Sequence, residues 1–211
     1  MTLVCFAVTE EAKAFQKLAE RAPGMQILVT GMGRRNAETS VRAGITRCKP
    51  DLVITSGFAG GLNPSLKLGD VVYDADASGA LVEALAAAGA RPAKFVCVEK
   101  VASTAREKHS LRAASGADAV EMESDIIRAI CRSANIPSAI VRVILDTAEE
   151  DLALDFNQFM DENQRLNTAK LAWAVARSPS KIGALLQLQK NSKAAAEKLA
   201  CVLARILRLP S

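Results

Sequence analysis

At 211 residues the chain has room for one α/β domain with a full core and too little for two. Half of the residues are hydrophobic, 24% are charged and only 4% are aromatic, so the expected core is Ala, Val, Leu and Ile, as in helix-covered parallel sheets; disordered and collagen-like classes are excluded. The net charge of +4 divides unevenly, with nine Lys or Arg against the single acid Glu197 in residues 163–211, giving +8 there and −4 on the body, which argues against a nucleic-acid surface spread over the whole domain.

Short apolar runs alternate with helical patterns from the start. Leu3 to Val8 reads as a strand, and Glu10 to Arg21 as a helix with Ala14, Phe15, Leu18 and Ala19 at helical spacing. Ile27 to Thr30 is the next strand, followed by Gly31-Met32-Gly33 and a helix over Asn36 to Arg47. Leu52 to Thr55 reads as a buried strand ending in the loop Gly57-Phe58-Ala59-Gly60-Gly61. Val71 to Tyr73 and Phe95 to Val98 read as strands around an Ala-rich helix, Ala80 to Ala88. Ala119 to Met122 and Ala139 to Leu145 are the last strands, joined by a helix over Ser124 to Ser133 whose Ile126, Ile127, Ile130 and Cys131 make one apolar stripe. From Asp155 to Arg208 the pattern is helical, with a break at Ser178-Pro179-Ser180. The β-α repeat predicts a single three-layer α/β/α domain over residues 1–211, with a twisted, mostly parallel central sheet and a basic helical extension from about residue 155.

Five scattered cysteines, Cys5, Cys48, Cys97, Cys131 and Cys201, have neither C-x-x-C nor zinc-ligand spacing, and His109 is the only histidine. Zinc sites and His-dependent triads are therefore not expected, no metal is called for, and the thiols read as reduced. In an open α/β sheet, ligands bind beyond the carboxyl ends of the strands. The segments there are Thr9-Glu10-Glu11, Gly31-Met32-Gly33-Arg34-Arg35, Ser56 to Gly61, Glu121-Met122-Glu123 and Asp146-Thr147. Three bring carboxylates and two bring glycine loops whose N–H groups approach an oxyanion or ribose closely. With no nucleophilic Ser or Cys partnered by His, this set fits acid/base cleavage of a bond whose transition state is cationic.

Gly57 to Val72 (GFAGGLNPSLKLGDVV), Ala119 to Ser124 (AVEMES) and Val141 to Asp146 (VRVILD) resemble, in order, three motifs of the nucleoside phosphorylase and nucleosidase superfamily. Thr9-Glu10-Glu11 and Thr30 to Gly33 resemble its two earlier loops, so the likeness covers residues 1 to about 150. Two branches are similar: the 5′-methylthioadenosine/S-adenosylhomocysteine nucleosidases and the hopanoid-associated phosphorylases, the latter implying an adenosylhopane nucleosidase. The short stretch from Asp70 to Phe95, the segments Val98 to Val101 and Ala105 to Lys108, and the basic tail with Pro179 and Ser192 to Ala195 resemble the second branch more closely.

The resemblance implies N-glycosidic cleavage that releases adenine, with Asp146 as the general acid at purine N7 and Glu123 on the ribose 2′- and 3′-hydroxyls. Met122, Gly57, Phe58, Ala59 and Gly60 fall at substrate-binding positions. Glu11 or its neighbour Glu10 takes the base position, Glu11 being preferred, and Glu121 is assigned outward. Gly31, Gly33 and Arg34 offer N–H groups and a guanidinium to a phosphate co-substrate, the only small molecule besides the nucleoside that is implied. Yet Phe58 replaces the usual Ser of Gly-Ser-Ala-Gly-Gly, and Thr55 stands where phosphorolytic members carry an Arg. Residues alone therefore lean toward water as nucleophile, with phosphorolysis left open, and Phe58 also leaves open a non-catalytic purine-binding module. Arg142 is expected either at the nucleophile or in an ion pair with a carboxylate such as Glu121.

In the tail, Ile182, Leu185, Leu186, Leu188, Leu199, Val202, Leu203 and Ile206 follow a helix period with Lys and Arg between them. Such a helix packs on the sheet or in a homodimer or larger homo-oligomer, or docks on anionic lipid. No opening segment reads as a signal peptide and no apolar run reaches membrane-spanning length, so a cytoplasmic setting is expected, with approach to the inner membrane through the tail.

Overall fold

The alternating side chains of β1 (Thr2–Phe6) organise the two faces of the sheet. Leu3 and Cys5 are buried with Ala37, Val41, Ile127 and Ile130 on one side, whereas Val4 and Phe6 are buried with Ala12, Phe15, Leu199 and Leu203 on the other. A computed structural model describes residues 1–20, 22–76, 79–152, 154–161 and 182–208. In it β1 pairs in parallel with β2 (Met25–Val29) and with β3 (Leu52–Gly61), and the sheet continues through β8 (Ser138–Asp146), β4 (Val71–Ala75) and β5 (Arg91–Pro92). The β3–β8 and β4–β5 pairs are parallel and β4–β8 is antiparallel. A parallel pair, β6 (Phe95–Cys97) and β7 (Ala119–Glu121), joins antiparallel to the far end of β3 at Gly60 and Gly61.

Helices cover both faces, as the β-α repeat requires. On the Leu3 face lie α2 (Arg34–Cys48) and α5 (Ser124–Ser133); on the Phe6 face lie α1 (Thr9–Ala19) and α6 (Ile182–Ile206), with α3 (Gly79–Ala87) beside α6. The helix α5 has the expected bounds, and its Ile126, Ile127, Ile130 and Cys131 are all buried.

Three sequence expectations change. The Gly57 to Gly61 stretch is not a loop: β3 runs through it, with Gly57 opposite Arg142 and a register shift between Ala59 and Gly60. Gly57 has φ +143, and a Cβ there would lie 2.5 Å from Glu11 Oε1 and 2.7 Å from Arg142 Nη1, so its glycine serves close approach of side chains and not a turn. A helix absent from the expectation, α4 (Ala105–Ser115), follows a Thr104/Glu107 capping box and ends at Gly116. Its one fully buried residue is Lys108, so the apolar period that betrays other helices is missing. Finally, the helical pattern expected from Asp155 to Arg208 opens on a 3-10 turn over Phe156–Phe159, capped by the Asp155 carboxylate, and is helical as expected in α6 over Ile182–Ile206. The expected break at Ser178 to Ser180 lies outside the described residues.

Candidate active site

The ends of β3, β7 and β8, the turn before α1 and the N-terminal part of α6 enclose a cavity of about 350 Å³. Glu11, Glu121, Glu123, Arg142 and Asp146 supply its charge, and Val8, Met32, Phe58, Val98, Val101, Met122, Leu145, Leu152, Phe156, Met160 and Leu188 its apolar wall.

Glu11 enters at the third position of α1, where it reaches back toward the chain that precedes the helix. Its Oε2 accepts from the N–H groups of Ala7 at 3.0 Å and Val8 at 3.2 Å, and its Oε1 from Phe58 N–H at 2.8 Å. Burial pushes this carboxyl up, against the opposing pull of Arg142 and the three amides. Glu10, one residue earlier, is exposed and lies in a separate groove between α1 and α6. The geometry therefore selects Glu11 over Glu10 for the cavity.

Glu121, which the sequence assigned outward, is instead 5% exposed. It ends β7 and accepts from Glu123 N–H at 3.1 Å, from Ser124 N–H at 3.0 Å and from Ser124 Oγ at 2.6 Å, and so caps α5. It also accepts from Cys97 Sγ and forms a buried ion pair with Arg142. Burial would raise its carboxyl, but Arg142 and the hydrogen bonds from Cys97, Ser124 and the Glu123 amide outweigh that and hold it below the ordinary range. The same contact pushes the Cys97 thiol up to about 12, chiefly through burial and then through the Glu121 charge.

Glu123 stands at the N-cap position of α5 but makes no side-chain cap there. Its Oε1 accepts from Gly33 N–H at 2.8 Å and its Oε2 lies 3.5 Å from Arg142 Nη2. Burial pushes it up, Arg142 and the Gly33 amide pull it back, and the charges of Glu121 and Glu11 push further, to about 7. Arg142, 1% exposed on β8, thus faces three glutamates, donating also to Ser56 O at 3.1 Å and Thr55 Oγ1 at 3.3 Å. The ion-pair alternative for Arg142 is the one the structure adopts.

Asp146 closes β8 and lines the cavity, its carboxylate paired with Lys108 of α4. Burial raises its carboxyl, Lys108 opposes the shift, and Glu150 adds to it. Gly60 faces it: a Cβ there would meet Asp146 Oδ2 at 3.3 Å and Val120 Cγ1 at 3.0 Å, so the glycine keeps this corner open.

Of the substrate-site residues read from the sequence, Glu11, Phe58, Ala59, Gly60, Met122, Glu123 and Asp146 line this one cavity, and Gly57 lies against Glu11 and Arg142. The group proposed for phosphate does not assemble. Arg34 is exposed at the start of α2, neither Gly31 nor Arg34 lines the cavity, and Gly33 gives its N–H to a carboxylate. Sequence reasoning missed Lys108 as a site residue, although the Thr104/Glu107 capping box marks the helix that carries it.

This arrangement of strands has close structural counterparts. A 5′-methylthioadenosine/S-adenosylhomocysteine nucleosidase from Neisseria meningitidis, in complex with methylthio-immucillin-A, superposes with a TM-score of 0.71 at 20% identity, over 98% of each chain. A nucleosidase of the same description from Colwellia psychrerythraea 34H, in complex with adenine, gives 0.71 at 18% identity over 98% of this chain and 94% of that one. A futalosine hydrolase mutant from Helicobacter pylori strain 26695 gives 0.68 at 16% identity over 96% and 97%. At these identities the likeness is one of fold. Sequence adds the family, because the model of the Phosphorylase superfamily matches residues 22–73 and 71–177. The doubly covered sheet and the motifs that place its carboxylates at one rim are accordingly those of a family member: the chain belongs to the phosphorylase superfamily, the group of nucleoside phosphorylases and nucleosidases.

Proposed function

We propose that the protein hydrolyses the N-glycosidic bond of a 5′-modified adenosine and releases adenine, with adenosylhopane as its substrate. The observation that carries this reading is the convergence of Glu11, Glu123 and Asp146 on one cavity of about 350 Å³, within the usual range for a small-molecule site. Asp146 protonates the leaving base at N7, and Glu123 accepts from the ribose hydroxyls while its charge favours the cationic sugar of the transition state. Glu11, buried and oriented by three amides, takes the proton of the attacking water.

Water is favoured over phosphate on electrostatic grounds. The cavity's arginine is committed to Glu121, Glu123 and Glu11, and Arg34 lies outside. A phosphate dianion would enter beside three carboxylates with no uncommitted cation among the described residues that line the cavity, whereas a neutral water meets no such repulsion. Phe58 does not undo the site, because its contact with Glu11 runs through the backbone N–H. That also weighs against a purely binding role.

The long 5′ substituent is supported by what lies beside the cavity. Leu152, Phe156, Met160 and Leu188 make an apolar wall, and Ser192 of α6 lines both this cavity and a groove of about 860 Å³ between α1 and α6. The groove joins Ala14, Leu18, Leu186 and Ala200 to the ammonium groups of Lys13, Lys17, Lys190 and Lys193. An apolar chain leaving the cavity at Ser192 would lie along it, and its lysines would face anionic lipid, in the manner of a peripheral enzyme. No helix among the described residues is long and apolar enough to cross a membrane. The enclosed volume of the cavity alone favours a second reading, a methylthioadenosine/S-adenosylhomocysteine nucleosidase with a short 5′ group.

Adenine release from methylthioadenosine and from a long-chain 5′-alkyl adenosine, each with and without phosphate, tests these readings. The long-chain substrate turning over faster without phosphate supports the first; preference for methylthioadenosine supports the second; no release from either overturns both. Flotation with anionic vesicles at low and high salt tests the lipid contact, and absence of binding at low salt removes it from the proposal.

A further inference from the structure

The charge that answers the general acid comes from an unexpected side chain. Lys108 is completely buried, and its three ammonium hydrogens have three acceptors: Asp146, Thr147 O at 2.8 Å and Glu150 O at 2.7 Å. Two are neutral carbonyls, so among the described residues Asp146 is the only carboxylate the ammonium touches. The Glu150 carboxylate turns away to accept from Thr147 N–H at 2.9 Å. A link between α4 and the loop after β8 would need only neutral donors; a desolvated ammonium there is costly unless its charge or its proton has a use.

Resting on the nucleosidase reading above, we infer that Lys108 is a positioning residue that acts through Asp146: the two share one proton along a buried hydrogen bond, Lys108 holding it at rest and Asp146 passing it to the leaving base. The ion pair and its neutral form, Asp146 as carboxylic acid with Lys108 as free amine, differ only by transfer of one proton from Nζ to Oδ2. Burial penalises the charged carboxylate of Asp146 and so narrows the gap between the two. In the reaction the C1′–N bond breaks with its electron pair leaving on the base, and the base takes the Asp146 proton. Water adds to C1′ and loses a proton to Glu11. Lys108 is left neutral and regains its proton from solvent as Glu11 releases one, so the enzyme returns unchanged. Besides Lys108 on α4, Glu150 in the loop after β8 is the other charged group acting on Asp146 among the described residues.

The test compares kcat against pH for wild type, Lys108→Met and Lys108→Gln, all checked by melting, on an adenine nucleoside and on a p-nitrophenyl riboside, whose phenolate leaves without protonation. In wild type, adenine release should hold to above about pH 9, beyond the range of a carboxyl raised by burial alone. In either variant the rate relative to wild type should be about a hundredfold lower at pH 8 and approach the wild-type rate toward pH 5, where Glu11 and Glu123 lose charge in all three proteins alike, with the p-nitrophenyl substrate little affected at any pH. The Gln variant keeps neutral donors to the carbonyls, and the wild-type comparison of the two leaving groups needs no variant. A uniform loss across pH and on both substrates, or a wild-type alkaline limb near pH 7 for adenine release, overturns this inference alone. A wild type that releases base from no nucleoside overturns the nucleosidase reading and this inference with it.

Discussion

The backbone N–H of Phe58 donates to Glu11 at 2.8 Å and ties the centre of β3 to the first turn of α1. The contact fixes the carboxylate without help from any side-chain donor in β3. With Ala7 and Val8 it gives Glu11 three amide partners, so the group is aimed before substrate arrives.

Replacing Glu11 by Gln keeps the size of the side chain but removes the proton acceptor. Turnover should fall about a hundredfold or more while the melting temperature changes by only a few degrees. Steady-state rates and a thermal melt on the same preparation check this; a near-normal rate would take Glu11 out of the base role.

Gly57→Ala should be severe for a steric reason. The new methyl would sit 2.5 Å from Glu11 Oε1 and 2.7 Å from Arg142 Nη1, on a backbone with φ +143 that side chains rarely adopt. Strain of about 1–3 kcal/mol and loss of activity are expected, read by denaturant unfolding and by adenine release.

Removing Arg142 exposes the glutamates to one another. Arg142→Met leaves Glu121, Glu123 and Glu11 buried without their cation, and should destabilise the fold by about 3–5 kcal/mol near neutral pH. Without the cation, Glu11 and Glu123 titrate still higher in the folded state, and burial of Glu121 is no longer offset by Arg142. Their contribution to stability is thus present below the unfolded value and lost as pH rises, and the variant should recover part of its stability toward pH 5.

Glu123 gives wild type a weaker form of the same dependence. With its folded value raised to about 7 from an ordinary 4.5, its contribution is full below about 4.5 and is lost as pH rises through 7. Glu11 and Asp146 are raised too and act in the same sense, while Glu121 is lowered and opposes them. Glu123→Gln should flatten the fall in melting temperature between pH 5 and 8 and abolish turnover; an unchanged slope would contradict the assignment.

How far the sequence carries the structure depends on what each residue does locally. The continuous apolar run of β1 and the stripe of α5 declare themselves because burial and period coincide, and the carboxylates of the candidate site stand in recognisable motifs. Three features do not declare themselves. Lys108 is the buried side of α4, so a charged residue sits where an apolar one would mark the helix. The glycines of β3 read as a loop because their reason lies in Glu11, Arg142 and Asp146, distant in sequence. Glu121 looks like a surface acid until Ser124, Cys97 and Arg142 are seen to surround it. In each case the determining contact is made by residues far along the chain, or by a polar group doing what an apolar one usually does.

The most direct test of the account is adenine release from a long-chain 5′-alkyl adenosine in phosphate-free buffer, by wild type and by Asp146→Asn. Hydrolysis at Asp146 predicts turnover by wild type to adenine and the free 5′-alkyl ribose, unaffected by added phosphate, and loss of at least about a hundredfold in the folded variant. Turnover that requires phosphate and yields a sugar phosphate, or a near-normal rate in Asp146→Asn, would contradict it.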